Sequence, residues 1–157
     1  MKALTIKQPY IDSILSGEKT IELRTRRTSH RGLFLLHCSR QPHSTRSGEI
    51  VAICTLKNCR EACKEDSERA MVDESYIRKP MYAYEIELYY VFTRGWVEKG
   101  QLGFWNCEVP FERGHEVAKV ESKDKQLLYV GAMVILAIFA VILIAVLYKT
   151  GVIIDKP

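Results

Sequence analysis

Apolar residues are laid out along this chain in three different patterns. From Ala3 to Lys7 they alternate with polar ones, Leu4 and Ile6 on one side and Thr5 and Lys7 on the other, which predicts a half-buried strand. Pro9 suits the first turn of a helix. In that helix Tyr10, Ile11, Ile14 and Leu15 recur at helical spacing, and Gly17 is placed to end it in a left-handed conformation. After the glycine the period returns to two, with Ile21 and Leu23 facing one way and Thr20, Glu22 and Arg24 the other. Leu33 to Cys38 predicts a strand buried on both faces, and Glu49 to Leu56, after an Arg-Ser-Gly turn, another. Arg60 to Met71 reads as a helix charged nearly all round. Pro80 breaks the chain before a long alternating run from Tyr82 to Phe92, and Gly100 to Trp105 supplies a glycine-punctuated turn into a last short strand. Short strands with one early and one middle helix predict an α+β domain built on a small curled sheet or barrel.

The third pattern has no period. Leu127 to Leu147 is a run of 21 residues without a charge or strongly polar group, and as a helix it measures about 32 Å, the thickness of a hydrocarbon core. Its Leu, Ile, Val and Phe residues contribute roughly −4 to −8 kcal/mol of insertion free energy. A domain this small does not wrap a helix that is apolar on every face. Tyr129 and Tyr148 stand where interfacial aromatics belong. The expected organisation is a domain over residues 1–110, a charged tether over 111–126, a transmembrane helix over 127–148 in contact with the lipid bilayer, and a tail over 149–157. No export signal precedes the domain, and Arg113, Lys119, Lys123 and Lys125 outnumber Lys149 and Lys156, so the N-terminal side is expected in the cytoplasm with the tail opposite, a single-pass, tail-anchored arrangement.

Net charge is only +4, but its distribution matters. Between Glu22 and Glu49 there is no carboxylate, while Arg24, Arg26, Arg27, Arg31, Arg40 and Arg46 lie there, a local positive field that favours anionic partners. Five irregularly spaced cysteines suit a reducing compartment. Cys59 and Cys63 would share a face of the middle helix, but no second pair stands at zinc-like spacing, so neither metal nor cofactor is expected.

The stretch from Leu4 to Arg24, LTIKQPYIDSILSGEKTIELR, closely resembles the opening motif of ASCH domains, small β-barrels of the PUA-like superfold. The family pattern of a strand, a helix begun near a proline and Gly-x-Lys-Thr-x-Glu-x-Arg is matched by Gly17, Lys19, Thr20, Glu22 and Arg24. The likeness spans Met1 to about Pro110; the segment from Lys57 to Pro80 adds nothing to it, and the apolar C-terminal run departs from the family's soluble form. The resemblance implies a cleft between barrel and early helix that takes RNA or a nucleoside- or nucleotide-like ligand. Residue chemistry agrees: a lysine at a turn reaches a phosphate or base edge, an arginine fork binds phosphate in bidentate fashion, and a carboxylate between them holds both cations or accepts from an exocyclic amine. Lys7, Lys19, Thr20, Glu22, Arg24 and Arg26 are the candidate binding residues. Tyr10, Tyr82, Tyr84, Tyr89, Trp96 and Trp105 are available for stacking, though most suit core packing better.

Two other functions stand beside this one. Some ASCH-like proteins are hydrolases, and the resemblance allows an amidohydrolase acting on acylated cytidine, or a ribonuclease, with Lys19 and Glu22 as catalytic candidates. In the cytidine-processing branch a threonine stands three residues after the lysine, where this chain has Glu22, and Thr20 is too close to replace it. Glu49 and Glu74 have no assigned part. The remaining alternative is an adaptor whose barrel binds a protein partner at the membrane.

Overall fold

A computed structural model describes the backbone of residues 1–149, with the side chains of residues 115, 118–129, 131, 132 and 148 excepted. Six strands form one mixed sheet: β1 (Lys2–Ile6), β2 (Ile21–Arg24), β3 (Gly32–Cys38), β4 (Glu49–Glu61), β5 (Tyr82–Val97) and β6 (Phe104–Asn106), in the order β2-β5-β4-β3-β1-β6. β1 and β3 run parallel and every other pair is antiparallel. The long β4–β5 ribbon carries several register shifts, and such bulges bend and twist a strand. The sheet therefore curls into a half-barrel. The expected curled sheet or small barrel is met as a half-barrel: among the described residues no ladder joins β2 to β1 or β6.

The early pattern reads true. α1 (Tyr10–Leu15) starts after Pro9 and buries Ile11 and Ile14. Gly17 follows at φ +84°, a conformation that costs glycine little, and its N–H meets the Ile14 carbonyl. α1 fills the concave side of the sheet, where Leu4, Ile6, Phe34, Leu36, Cys54 and Ile86 share a core with it. Each such aliphatic chain, fully buried, stabilises by about 1.5–3 kcal/mol.

The middle of the chain differs from expectation. Arg60 and Glu61 belong to β4, which runs five residues past Leu56, and the rest of the segment holds a 3₁₀ turn (Lys64–Asp66), the one-turn α2 (Ser67–Ala70) and a second 3₁₀ turn (Glu74–Tyr76). Pairing overrode propensity here, because Asn58 to Glu61 continue the ladder to Tyr82–Glu85. Cys59 is consequently a buried strand residue and Cys63 an exposed loop residue, not neighbours on a helix. All five cysteines are free thiols, and burial pushes Cys54 up to about 12. The insertion packs on the back of β2, where Ala62 and Ala70 meet Ile21 and Ala83. β2 is thus buried on both faces, Ile21 into this small core and Glu22 toward the opposite side.

Contacts divide the chain into a unit Met1–Val109 and a second one beginning at Pro110. The second holds α3 (Phe111–Lys149), one continuous 39-residue helix. From Met133 to Ile144 every side chain on it is exposed, and all are apolar. Among the described residues no helix is long and apolar enough to cross a membrane. The expected span over 127–148 begins and ends on side chains outside the described set, and the tail from Thr150 lies outside it altogether.

Candidate functional site

The half-barrel has an open seam, and the polar motif lies along it. β6 is three residues long and covers only Lys2 to Leu4 of β1. Thr5 to Lys7 are left facing β2 across a gap. Arg24, the last residue of β2, bridges that gap: its Nη2 donates to the Thr5 carbonyl at 2.7 Å. Arg24 Nε lies 3.0 Å from Glu22 Oε1, an ion pair, yet no hydrogen bond of good alignment satisfies that nitrogen. Beside the bridge opens a cavity of about 330 Å³, lined by Thr5, Ile6, Lys7, Tyr10, Glu22, Leu23, Arg24, Ser39, Tyr76, Gln101 and Leu102.

Lys19 does not line it. The notion of a mobile ammonium reaching out to a ligand is corrected: Lys19 is 3% exposed and its Nζ donates to the Ala70 carbonyl at 2.6 Å, within 3.5 Å of Glu22 Oε2. Its ammonium also sits 4.6 Å from the centre of the Tyr10 ring. Burial lowers its pKa, and the nearby Glu22 carboxylate partly opposes that shift. Lys19 thus ties three elements together, α1 through Tyr10, β2 through Glu22 and the end of α2 through a carbonyl that the short helix leaves unpaired.

The other expected residues divide. Glu22 is nearly buried, held between Lys19 and Arg24, and faces the cavity. Lys7 is exposed on the rim. Thr20 is turned away and accepts a hydrogen bond from Arg69 Nε at 3.0 Å. Arg26 is exposed and lines an adjoining cavity of about 310 Å³ with Arg24, Thr25, Leu4, Tyr84, Leu102 and Gly103. Of the aromatics, Tyr84 is buried against Phe104 and donates to the Arg26 carbonyl at 2.7 Å, and Trp105 is core. Glu49 pairs with Arg46, and neither it nor Glu74 lines these cavities. Among the described residues no cluster of His, Cys, Asp or Glu is placed to hold a metal ion.

Reading by motif missed the far side of the cleft. A third cavity, about 410 Å³, continues past Ser39 and Gln101 and is lined by Thr5, His37, Arg40, Gln41, Lys99, Gly100 and Leu102. His37 is buried there, its Nε2 against the Glu98 carbonyl at 3.3 Å and its Nδ1 against Thr5 Oγ1 at 3.1 Å. A carbonyl only accepts, so Nε2 carries the hydrogen and Thr5 donates to Nδ1 while accepting from Trp105 Nε1 at 3.1 Å. Burial lowers the His37 pKa, in keeping with this neutral tautomer. The loop 98–103 rests on this network: a Cβ on Gly100 would lie 2.4 Å from His37 Cε1. The one signal in the sequence was an isolated polar His37 at the end of a buried strand. Arg40 belonged to the arginine-rich stretch but had no assigned place, and Lys99 carried no signal, because the lining of this cavity by both depends on the tertiary fold.

The three cavities share Leu102 and form a row along the seam, with Arg26, Arg24, Lys7, Arg40 and Lys99 against the single carboxylate of Glu22. The profile of the ASCH domain matches residues 4–101. The chain belongs to the ASCH domain family. Two solved ASCH structures are similar to this ASCH domain, both from Zymomonas mobilis. One is a Tyr-to-Phe variant, 14% identical with a TM-score of 0.44, covering 55% of this chain and 68% of its own. The other is the unsubstituted protein, 13% identical with a TM-score of 0.44, covering 59% of this chain and 73% of its own. A comparison with curated proteins finds no significant match.

Proposed function

We propose that this ASCH domain binds RNA or a nucleotide-like ligand along the seam between β1 and β2. The observation that carries the reading is the row of three cavities with five cations and one carboxylate, set where the sheet fails to close. Such a surface attracts a phosphate backbone, and Arg24, which lines two of the cavities and is only partly buried, brings a guanidinium charge to the cleft wall. The placement of Lys19 favours binding over hydrolysis: it lies outside the lining of the cleft, and its contacts to Ala70 and Glu22 engage it in the fold. The test is a salt titration of short single-stranded RNA binding to the full chain. Affinity is expected to fall with salt with a slope of about −0.7 per phosphate contacted, and Arg24→Ala to reduce both affinity and slope. Binding indifferent to salt and to Arg24→Ala would remove the proposal.

We further propose that α3 tethers the domain to a lipid bilayer. Twelve consecutive apolar residues, Met133 to Ile144, span more than three turns and present no polar face to water. They continue into the charge-free run that extends from Leu127 to Tyr148 in the sequence. Flotation of the full chain with liposomes after a carbonate wash supports the tether, and recovery in the soluble fraction overturns it.

A further inference from the structure

Two apolar side chains on the rim of the cleft have no part in the core. Leu102, in the loop between β5 and β6, is 99% exposed, and Tyr76, at the end of the second 3₁₀ turn, is 56% exposed. Both line the same cavity as Glu22 and Arg24, and neither belongs to the hydrophobic clusters that hold the fold. They come from loops at opposite ends of the 16-residue β5, which the curl of the sheet brings to one opening. A single exposed apolar residue is unremarkable on a protein surface. Two from independent loops, over an ionic floor, match the composition of a ligand pocket, where apolar walls supply contact and a few polar groups fix orientation. The Leu102 loop is anchored, since Gly100 sits against the His37 ring and the Glu98 N–H donates to the Gly48 carbonyl at 2.8 Å. The leucine is thus presented from a seated strap.

We propose that Tyr76 and Leu102 clasp a planar heterocycle between them over the Glu22–Arg24 pair, so that the cleft takes a nucleotide by its base as well as by its phosphate. This rests on the reading of the seam as a nucleotide- or RNA-binding cleft. The tyrosine ring offers a stacking face, and the leucine covers the heterocycle with aliphatic surface. A carboxylate has about four acceptor positions, so Glu22 keeps some for an amino or ring N–H on the base edge while holding Lys19 and Arg24. The phosphate then falls to Lys7 and Arg24, or to Arg40 and Lys99 next door.

The experiment compares two probes that differ only in the base, adenosine 5′-monophosphate and ribose 5-phosphate, on the full chain by calorimetry. The clasp predicts that the nucleotide binds more tightly. Tyr76→Ala and Leu102→Ala should each weaken the nucleotide, Tyr76→Ala by about five- to a hundredfold, without affecting ribose 5-phosphate, and Tyr76→Phe should restore binding. Arg24→Ala should weaken both probes. Both substituted side chains are exposed, so the variants leave the core intact, and a thermal melt verifies it. Equal affinity for the two probes, or nucleotide binding unchanged by Tyr76→Ala, overturns the clasp and leaves the cationic cleft standing. Failure of the chain to bind either probe or short RNA overturns the cleft reading and the clasp with it.

Discussion

Two ionic clusters flank β2, built from similar residues and differing in how completely they are satisfied. At the corner where β4 meets the insertion, Arg60 is gripped by two carboxylates. Its Nη2 and Nη1 meet Asp66 Oδ1 and Oδ2 at 2.6 and 2.8 Å, and its Nε meets Glu85 Oε1 at 2.7 Å. Asp66 also accepts from the Cys63 N–H at 2.9 Å. Every arm of the fork has an aligned partner, and Arg60 holds the Asp66 carboxyl down to about 2. At the seam the arithmetic is inverted: one carboxylate, Glu22, serves two cations at 3.5 and 3.0 Å, and Arg24 Nε has no aligned acceptor. The corner is closed and the seam opens on a cavity. A fully engaged cluster specifies a fold, whereas Glu22 and the partly exposed Arg24 line a cavity in which a ligand can meet them.

The contrast is broken most severely at the corner. Asp66→Ala leaves a guanidinium and a backbone N–H without their acceptor and should cost about 3 kcal/mol in urea-induced unfolding. An unchanged midpoint would show that the corner is ornamental. The pH dependence follows the same pair. Because the folded Asp66 carboxyl is depressed, its contribution is fully present above the ordinary carboxylate range near 4 and is lost as pH falls toward about 2. Asp66→Asn should flatten that limb of the acid unfolding curve.

Arg24→Ala is next in size and should act on binding. Loss of one charge-assisted fork predicts about ten- to a hundredfold weaker RNA binding. Arg24→Lys, which keeps the charge but not the planar fork, should fall between. If both variants lose the same affinity, geometry rather than charge is at work at the seam. Gly100→Ala sharpens the contrast from the other wall. Its Cβ would press on His37 and on Thr5 Oγ1, 2.9 Å away, at a cost of about 1–3 kcal/mol. It should also displace Leu102, visible as weaker nucleotide binding at an intact Asp66 corner.

The smallest expected effect is a titration. The folded His37 pKa is lowered, so as pH falls below about 6.5 the unfolded chain takes its proton first and stability declines until the folded imidazole also protonates. His30 is lowered as well, chiefly by burial, and contributes in the same window. A protonated His37 can no longer accept at Nδ1 from Thr5, so amide exchange in residues 98–103, relative to its intrinsic rate, should accelerate only once pH falls below the lowered pKa of the folded imidazole. His37→Gln should abolish this local response while leaving the His30 contribution; equal exchange across the range would separate the strap from His37.

How much of this was legible beforehand differs from residue to residue. α1 and its stop at Gly17 could be read directly, because helical period, proline and glycine are local signals. So could the strand that carries Glu22 and Arg24, and the meeting of Lys19, Glu22 and Arg24, since i, i+2 and i+3 neighbours stay close in any short turn and strand. The burial of Lys19 could not, because its carbonyl partner, Ala70, lies 51 residues away in a segment whose own pattern suggested a longer helix. The segment after Leu56 departs from its local pattern for the same reason: Arg60 and Glu61 suit the start of a charged helix, and only the ladder partner in β5 holds them extended.

The amino-acid sequence by itself determined the local elements near the start of the chain, the arginine-rich stretch without carboxylates, the family motif and the long apolar run, all of which depend on neighbours within a few residues. The tertiary structure alone decided that the barrel stays open, that Lys19 turns inward while Arg24 spans the gap, and that Arg40, Lys99, Tyr76 and Leu102 join one cleft. Those outcomes depend on how far a bulged sheet curls before its edges meet, and that curvature is set by pairing between residues far apart in the chain.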